Sequence, residues 1–231
     1  MIQISNLTKK YGETAVFSNL NYTFENTCIY GLVGRNGAGK TTLLNILSNY
    51  DKNYTGVISI DRKKMNKVDY LDMPVAYAMD QPSFFNELTI YENLLLIASS
   101  RKIKKQEAFD KIERILDGLG LKKYENYSPL ELSKGTMQRL NNACAMIQEE
   151  KITIFDEPFS GLDPVQMKLL ENVMVEFHKK EKGIYIISSH DIECLQNVCD
   201  KCLLLHNGQI REINTEEVDR EKIAKILSEG E

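Results

Sequence analysis

No apolar run approaches the roughly 18 residues needed to span a bilayer; the densest stretches, such as Leu94 to Ala98 and Leu203 to Leu205, are far shorter. No segment is therefore expected to cross a membrane alone. Positive charge is not in excess either. Lys plus Arg number 29 against 33 Asp plus Glu, giving a formal net charge of −4, so the whole chain has no electrostatic reason to bind nucleic acid. Cysteine is sparse and odd in number, at five, which points to free thiols instead of a disulfide framework. The opening MIQISNLTKKYG interrupts any apolar core with Asn6, Thr8 and two lysines. A secretory leader is not expected, and a cytoplasmic location is. Internal repeats, low-complexity linkers and coiled-coil heptads are missing too, which sets aside repeat architectures and long coiled arms.

What remains is an ordinary globular composition, 42% hydrophobic and 27% charged over 231 residues, enough for a substantial core without staples. Short apolar strands alternate with helical patterns, predicting an α/β fold with a mostly parallel sheet. The expected strands are 29–33, 57–60, 75–79, 152–155 and 185–188. Leu140, Ala143, Cys144 and Ile147 share a helical face, as do Leu169, Leu170, Val173, Met174 and Phe177. Asn207-Gly208 between two strand-like runs predicts a two-residue hairpin. The stretch 89–150 has helical patterns and no strand, so it reads as an all-helical insertion. The expected division is 1–88 for the first part of the core, 89–150 for the insertion, 151–214 for the rest of the core and 215–231 for a short C-terminal helix.

Gly34 to Thr42 reads GRNGAGKTT, with a strand leading in and an apolar helix leading out. This is the P-loop arrangement, in which glycines turn backbone N–H groups inward and the helix start favours phosphate oxygens. Gly34, Asn36, Gly37, Ala38, Gly39, Lys40, Thr41 and Thr42 are thus candidate phosphate-binding residues. Lys40 is expected to reach the β- and γ-phosphates, and Thr41 to offer its hydroxyl to Mg²⁺, a hard cation. Asp156 ends the apolar run 152–155 and is placed to hold that metal. Glu157 follows, and alternation along an extended chain should turn it away from Asp156, toward an attacking water.

Ser133 to Arg139 reads SKGTMQR immediately before an amphipathic helix. Ser133 fits an N-cap and Gly135 allows close approach, so this helix start should also attract an anion. Ordinary capping explains it locally. Two such starts with only one complete lysine and metal apparatus suggest that the second completes a nucleotide held by another subunit, in a two-fold dimer.

Together these motifs resemble the nucleotide-binding subunit of ATP-binding cassette (ABC) transporters, from Tyr11 to about Ile213. Leu132 to Thr136, LSKGT, is similar to the signature LSGGQ, with Lys134 and Thr136 at the third and fifth positions. ITIFDEP resembles the Walker B motif, SGLD at Ser160 to Asp163 the D-loop, and His190 in SSHD the switch histidine. The resemblance implies a P-loop core with an antiparallel N-terminal β region. It also implies adenine stacking on Tyr11, and ATP held between two subunits, with Ser133 and Gly135 of one on the γ-phosphate bound by the other. Lys40, Glu157 and His190 are then the catalytic residues, and Asp163 couples the two sites. The Q-loop departs from the family pattern: Asp80 or Gln81 takes the metal- or water-binding position.

The implied partners are a second nucleotide-binding subunit, identical or not, and a membrane-spanning permease that holds the chain at the cytoplasmic face of the membrane. Phe84, Phe85, Leu88 and Tyr91 are candidates to dock that permease. Two other readings stay open: a soluble assembly ATPase, as in iron–sulfur scaffold work, and a nucleotide-dependent binding module without useful hydrolysis.

Overall fold

The computed structural model describes residues 1–68, 72–190 and 192–213. The expected helix over 215–231 lies outside them. Ten strands and six α-helices follow one another among the described residues as β1 (Ile2–Tyr11), β2 (Thr14–Phe24), β3 (Cys28–Val33), α1 (Lys40–Leu47), β4 (Thr55–Ile60), β5 (Lys63–Lys64), β6 (Val75–Ala78), α2 (Ile90–Ser100), α3 (Lys105–Gly118), α4 (Lys134–Met146), β7 (Ile152–Phe155), α5 (Pro164–Glu181), β8 (Ile184–Ser189), α6 (Glu193–Gln196), β9 (Lys201–His206) and β10 (Gln209–Ile213).

The central six-stranded sheet has the order β10-β9-β3-β8-β7-β6. All its pairings are parallel except β10 on β9. Alternating side chains divide between two cores, as strand geometry demands. Tyr185 and Ile187 of β8 join a core with α2 to α5. Ile184 and Ile186 face the other way, into a core with α1 and the smaller sheet β2-β1-β4-β5. Each fully buried isoleucine or leucine contributes about 1.5–3 kcal/mol, so cutting Ile186 back to alanine would cost about 2–5 kcal/mol.

The smaller sheet is antiparallel throughout. Its first strands had no readable two-residue period in the sequence, and the register explains why. Ile2 and Ile4 are buried, then Leu7 and Lys9. The inward phase slips by one residue across the left-handed Asn6, φ 54°, where pairing with β2 shifts. The β9–β10 hairpin forms as expected, with Asn207 and Gly208 both at positive φ, 48° and 68°, the twist a two-residue turn requires. All five cysteines are free thiols.

Candidate functional site

The loop between β3 and α1 wraps a cavity of about 410 Å³ lined by Tyr11, Val16, Arg35, Asn36, Gly37, Gly39, Lys40, Thr41, Thr42, Asp80 and Glu157. Gly39 is the N-cap of α1 in the left-handed region, φ 100°, with no side chain capping the helix. A Cβ there would come within 2.6 Å of Val16 Cγ1. Only glycine fits, and the helix start stays open toward the cavity. Lys40 is buried, and its ammonium donates to Gly34 O at 2.7 Å and Arg35 O at 3.4 Å. The ammonium also lies 3.6 Å from Glu157 Oε1. Gly34 and Ala38 do not line the cavity; Ala38 N–H instead closes the loop onto Arg35 O at 3.1 Å.

Asp156 and Glu157 do part as expected, but strand alternation is not the cause. The strand ends at Phe155, and Glu157 takes a left-handed conformation, φ 49°. Its backbone N–H donates to Ser188 Oγ at 2.9 Å, and that hydroxyl donates to Asp156 Oδ1 at 2.5 Å. Ser188, at the end of β8, therefore holds both acids apart. Glu157 Oε2 accepts from, or shares a proton with, His190 Nδ1 at 2.9 Å. His190 thus engages the candidate base directly.

Asp156 is 1% exposed, and hydroxyls approach it: Ser188, Thr41, and Tyr77 at 3.4 Å. Burial, then the negative charges of Glu157 and Asp80, push its carboxyl above the usual range, against the pull of the Ser188 and Thr41 hydrogen bonds. Asp156 lies behind the cavity wall, and Thr41 and Asp80 line it; a buried carboxylate hydrogen-bonded to the Thr41 hydroxyl, with Asp80 nearby, is a hard-oxygen donor set that fits Mg²⁺. Of the two Q-loop candidates, Asp80 lines the cavity and Gln81 does not.

Tyr11 ends β1 at the cavity rim and is 54% exposed. Its ring lies 4.6 Å from the Lys9 ammonium, and its hydroxyl donates to Asp51 at 3.4 Å. Lys9, 2% exposed, pairs with Asp51 at 2.6 Å and donates to Asn53 O at 2.8 Å. Burial opposes the Asp51 charge, yet hydrogen bonds from Lys9 and Asn53 N–H, with the charge of Lys9, hold its carboxyl below the usual range. Lys9 and Asp51 went unread in the sequence, although a lysine two residues from the strand-end tyrosine shares its strand face.

Ser133 and Gly135 do not join this cavity. Ser133 caps α4, accepting Thr136 N–H at 3.3 Å, and lines a separate cavity of about 460 Å³ with Thr136, Arg139 and Gln166. A Cβ on Gly135 would meet Gly161 O at 3.0 Å and Gln166 Oε1 at 3.1 Å, so the signature start abuts the D-loop turn. Asp163 caps α5, accepting Gln166 N–H at 2.8 Å.

Beyond the face read from its sequence, α4 buries a polar row. Gln138 donates to Glu157 O at 3.4 Å, Asn141 to Met79 O at 2.7 Å and Asn142 to Pro158 O at 3.1 Å. Three amides on this helix thus hold the backbone on both sides of the acids. The available signal was the polar pair Asn141-Asn142 in an otherwise apolar helix segment.

Residues 17–160 match the family model of the ABC transporter. The chain is 32% identical to an ABC transporter ATP-binding protein of Methanocaldococcus jannaschii, covering 90% of this chain and 75% of that one. It is 31% identical to the bacitracin transport ATP-binding protein BcrA of Enterococcus faecalis, over 95% and 71% of the two chains. Against the tungstate uptake system ATP-binding protein TupC of Peptoclostridium acidaminophilum, identity is 29% over 91% and 97%. A solved ATP-binding subunit of an ABC transporter superposes with TM-score 0.88 at 25% identity, covering 99% of each chain. Among the described residues no helix is long and apolar enough to cross a membrane. Open helix start, buried Asp156 beside the cavity-lining Glu157, and family match agree: this chain belongs to the ABC transporter family as an ATP-binding, ATP-hydrolysing cassette whose cofactors are ATP and Mg²⁺.

Proposed function

We propose that two such cassettes, identical or not, close on MgATP at two composite sites and drive a separate membrane-spanning permease. The observation that carries this reading is the separation of Ser133 and Gly135 from the chain's own phosphate cavity. An anion-facing helix start with no lysine from its own P-loop finds its ligand on a second subunit. The names of the bacitracin and tungstate relatives favour transport. So does the rim of the helical stretch 89–150, read as an insertion: Phe85 is 59% exposed, beside half-buried Phe84, Leu88 and Tyr91. These four are the proposed permease contact, which would place the cassette at the cytoplasmic face of the membrane.

Within each site, Lys40 is steadied by its loop carbonyls and presents its free N–H to β- and γ-phosphate oxygens. Backbone N–H groups of the loop supply the remaining donors. Thr41, Asp156 and Asp80 would hold Mg²⁺, which would supply charge stabilisation to the triphosphate. Glu157 orients the attacking water and takes its proton through one carboxylate oxygen, while His190 holds the other. Tyr11 stacks on adenine, and Asp163 links the sites across the dimer.

Replacing Glu157 by Gln should preserve MgATP affinity and lower turnover by about 10²-fold or more. Phosphate release close to the parent rate would remove the assigned role. The same variant, trapped with MgATP and purified in mild detergent, should bring down a polytopic membrane protein; recovery of soluble partners alone would overturn the transport reading.

A further inference from the structure

The start of α4 carries a hydrogen-bond chain whose direction is set by what each group can donate. Arg139 is 5% exposed. Its Nη1 donates to Leu119 O at 2.6 Å and Gly120 O at 3.3 Å, and its Nη2 to Thr136 Oγ1 at 3.2 Å. A guanidinium only donates, so the Thr136 oxygen is the acceptor there and the threonine proton must go elsewhere. Thr136 is 3% exposed, and Ser133 Oγ lies 2.9 Å away. The opposite orientation, with Ser133 donating inward, would leave a buried hydroxyl proton in need of another acceptor.

With Thr136 donating, Ser133 Oγ receives two hydrogen bonds, from the threonine hydroxyl and from Thr136 N–H at 3.3 Å. Both lone pairs are engaged. The serine's proton is its one unused function, and Ser133 is exposed. We propose that Thr136 is a positioning residue that turns Ser133 into a dedicated donor toward an anionic oxygen, with Arg139 as the cationic end of the relay. Successive donation strengthens each bond in the chain, and a charged first donor strengthens it further. This inference rests on the reading that Ser133 meets a nucleotide held by a second cassette.

The test uses the full chain in the Glu157→Gln background, with MgATP as ligand and dimer formation followed by light scattering. Thr136→Val should raise the MgATP concentration for half-maximal dimerisation by about tenfold, the effect of losing one good hydrogen bond. MgATP affinity of the dilute monomer should stay within about twofold, because the relay is remote from the chain's own cavity, and Thr136→Ser should restore dimerisation to within about twofold. A merely structural role would not separate these readouts. Dimerisation of Thr136→Val at parental MgATP, or Thr136→Ser as impaired as Thr136→Val, overturns the relay.

Should Thr136→Val fail to melt cooperatively, Thr136→Cys decides: its weak S–H donor should give an intermediate midpoint, and a parental one overturns the proposal. Ser133→Ala separates the two levels. If it dimerises like the parent, the composite-site reading falls and the relay with it. If it is impaired while Thr136→Val is not, the relay alone falls.

Discussion

The first turns of α1 and α4 meet the same difficulty, backbone N–H groups without intrahelical partners, by different means. At α1 a left-handed glycine caps without a side chain, so the orphan donors stay open, flanked by a buried lysine and a cavity. At α4 the Ser133 hydroxyl takes one N–H for itself, and Thr136 and Arg139 occupy the space beneath. The first start is left unsatisfied by its own chain and is made to bind alone. The second gives one of its N–H groups to its own serine and, on the proposed relay, offers that serine's proton in exchange. On the composite-site reading it adds a contact to a ligand that a second cassette already holds.

The strongest way to break this contrast is to remove the cation from the first start. Lys40→Ala should weaken MgATP binding to the monomer by about 10²-fold, measured with a fluorescent nucleotide, whereas Ser133→Ala should leave monomer binding intact and impair only dimerisation. Equal losses in the two variants would erase the distinction between an autonomous site and a dependent one.

A smaller effect is expected from Ser188→Ala, which removes the hydroxyl shared by Asp156 and the Glu157 backbone. Leaving those groups unpaired should cost about 1–3 kcal/mol and lower Tm by about 2–4 °C per kcal/mol. Turnover should fall more than KM changes. A loss confined to Tm would mean that Ser188 serves packing and not the geometry of the acids.

Smallest is the effect of Lys9→Met, which withdraws the charge beneath Tyr11. ATP affinity should drop by about five- to tenfold, the scale of a cation–π contact and a base stack. Inorganic tripolyphosphate, which has no base, should bind as before; an equal loss for both would place the damage in the phosphate loop. The pH dependence has a definite sign. The depressed Asp51 carboxyl contributes stability above its unfolded value of about 3.9, and that contribution is lost as pH falls through the lower folded value. Parent and Lys9→Met melting curves should therefore differ at neutral pH and converge in acid.

Much of the architecture was legible because the parallel strands are short, apolar and bounded, and because the glycine spacing of 34–39 has few physical uses outside a strand–loop–helix turn. The Ser133 cap and the Asn207-Gly208 turn were legible for the same reason: local chemistry dictates local conformation. The antiparallel strands β1 and β2 were not legible individually, because bulges at left-handed residues shift the phase that periodicity depends on. Ser188, Tyr77 and the amides of α4 escaped because their partners are backbone and carboxylate groups remote in sequence. Glu157 was assigned the right neighbourhood by the wrong geometry, since a positive φ at a glutamate leaves no trace in residue order.

The amide row of α4 has a mechanical consequence. From Ser133 to Asn142 a helix rises about 13 Å, and along that length side-chain amides grip the carbonyls of Glu157, Met79 and Pro158. A helix is stiff lengthwise, so a displacement at the serine end would reach the segments bearing Asp80 and Glu157 through these amide contacts. On the composite-site reading, the helix whose first turn meets a neighbour's ligand is also the one whose amides hold the segments bearing the chain's own acids, so the two sites would be joined by one rigid element.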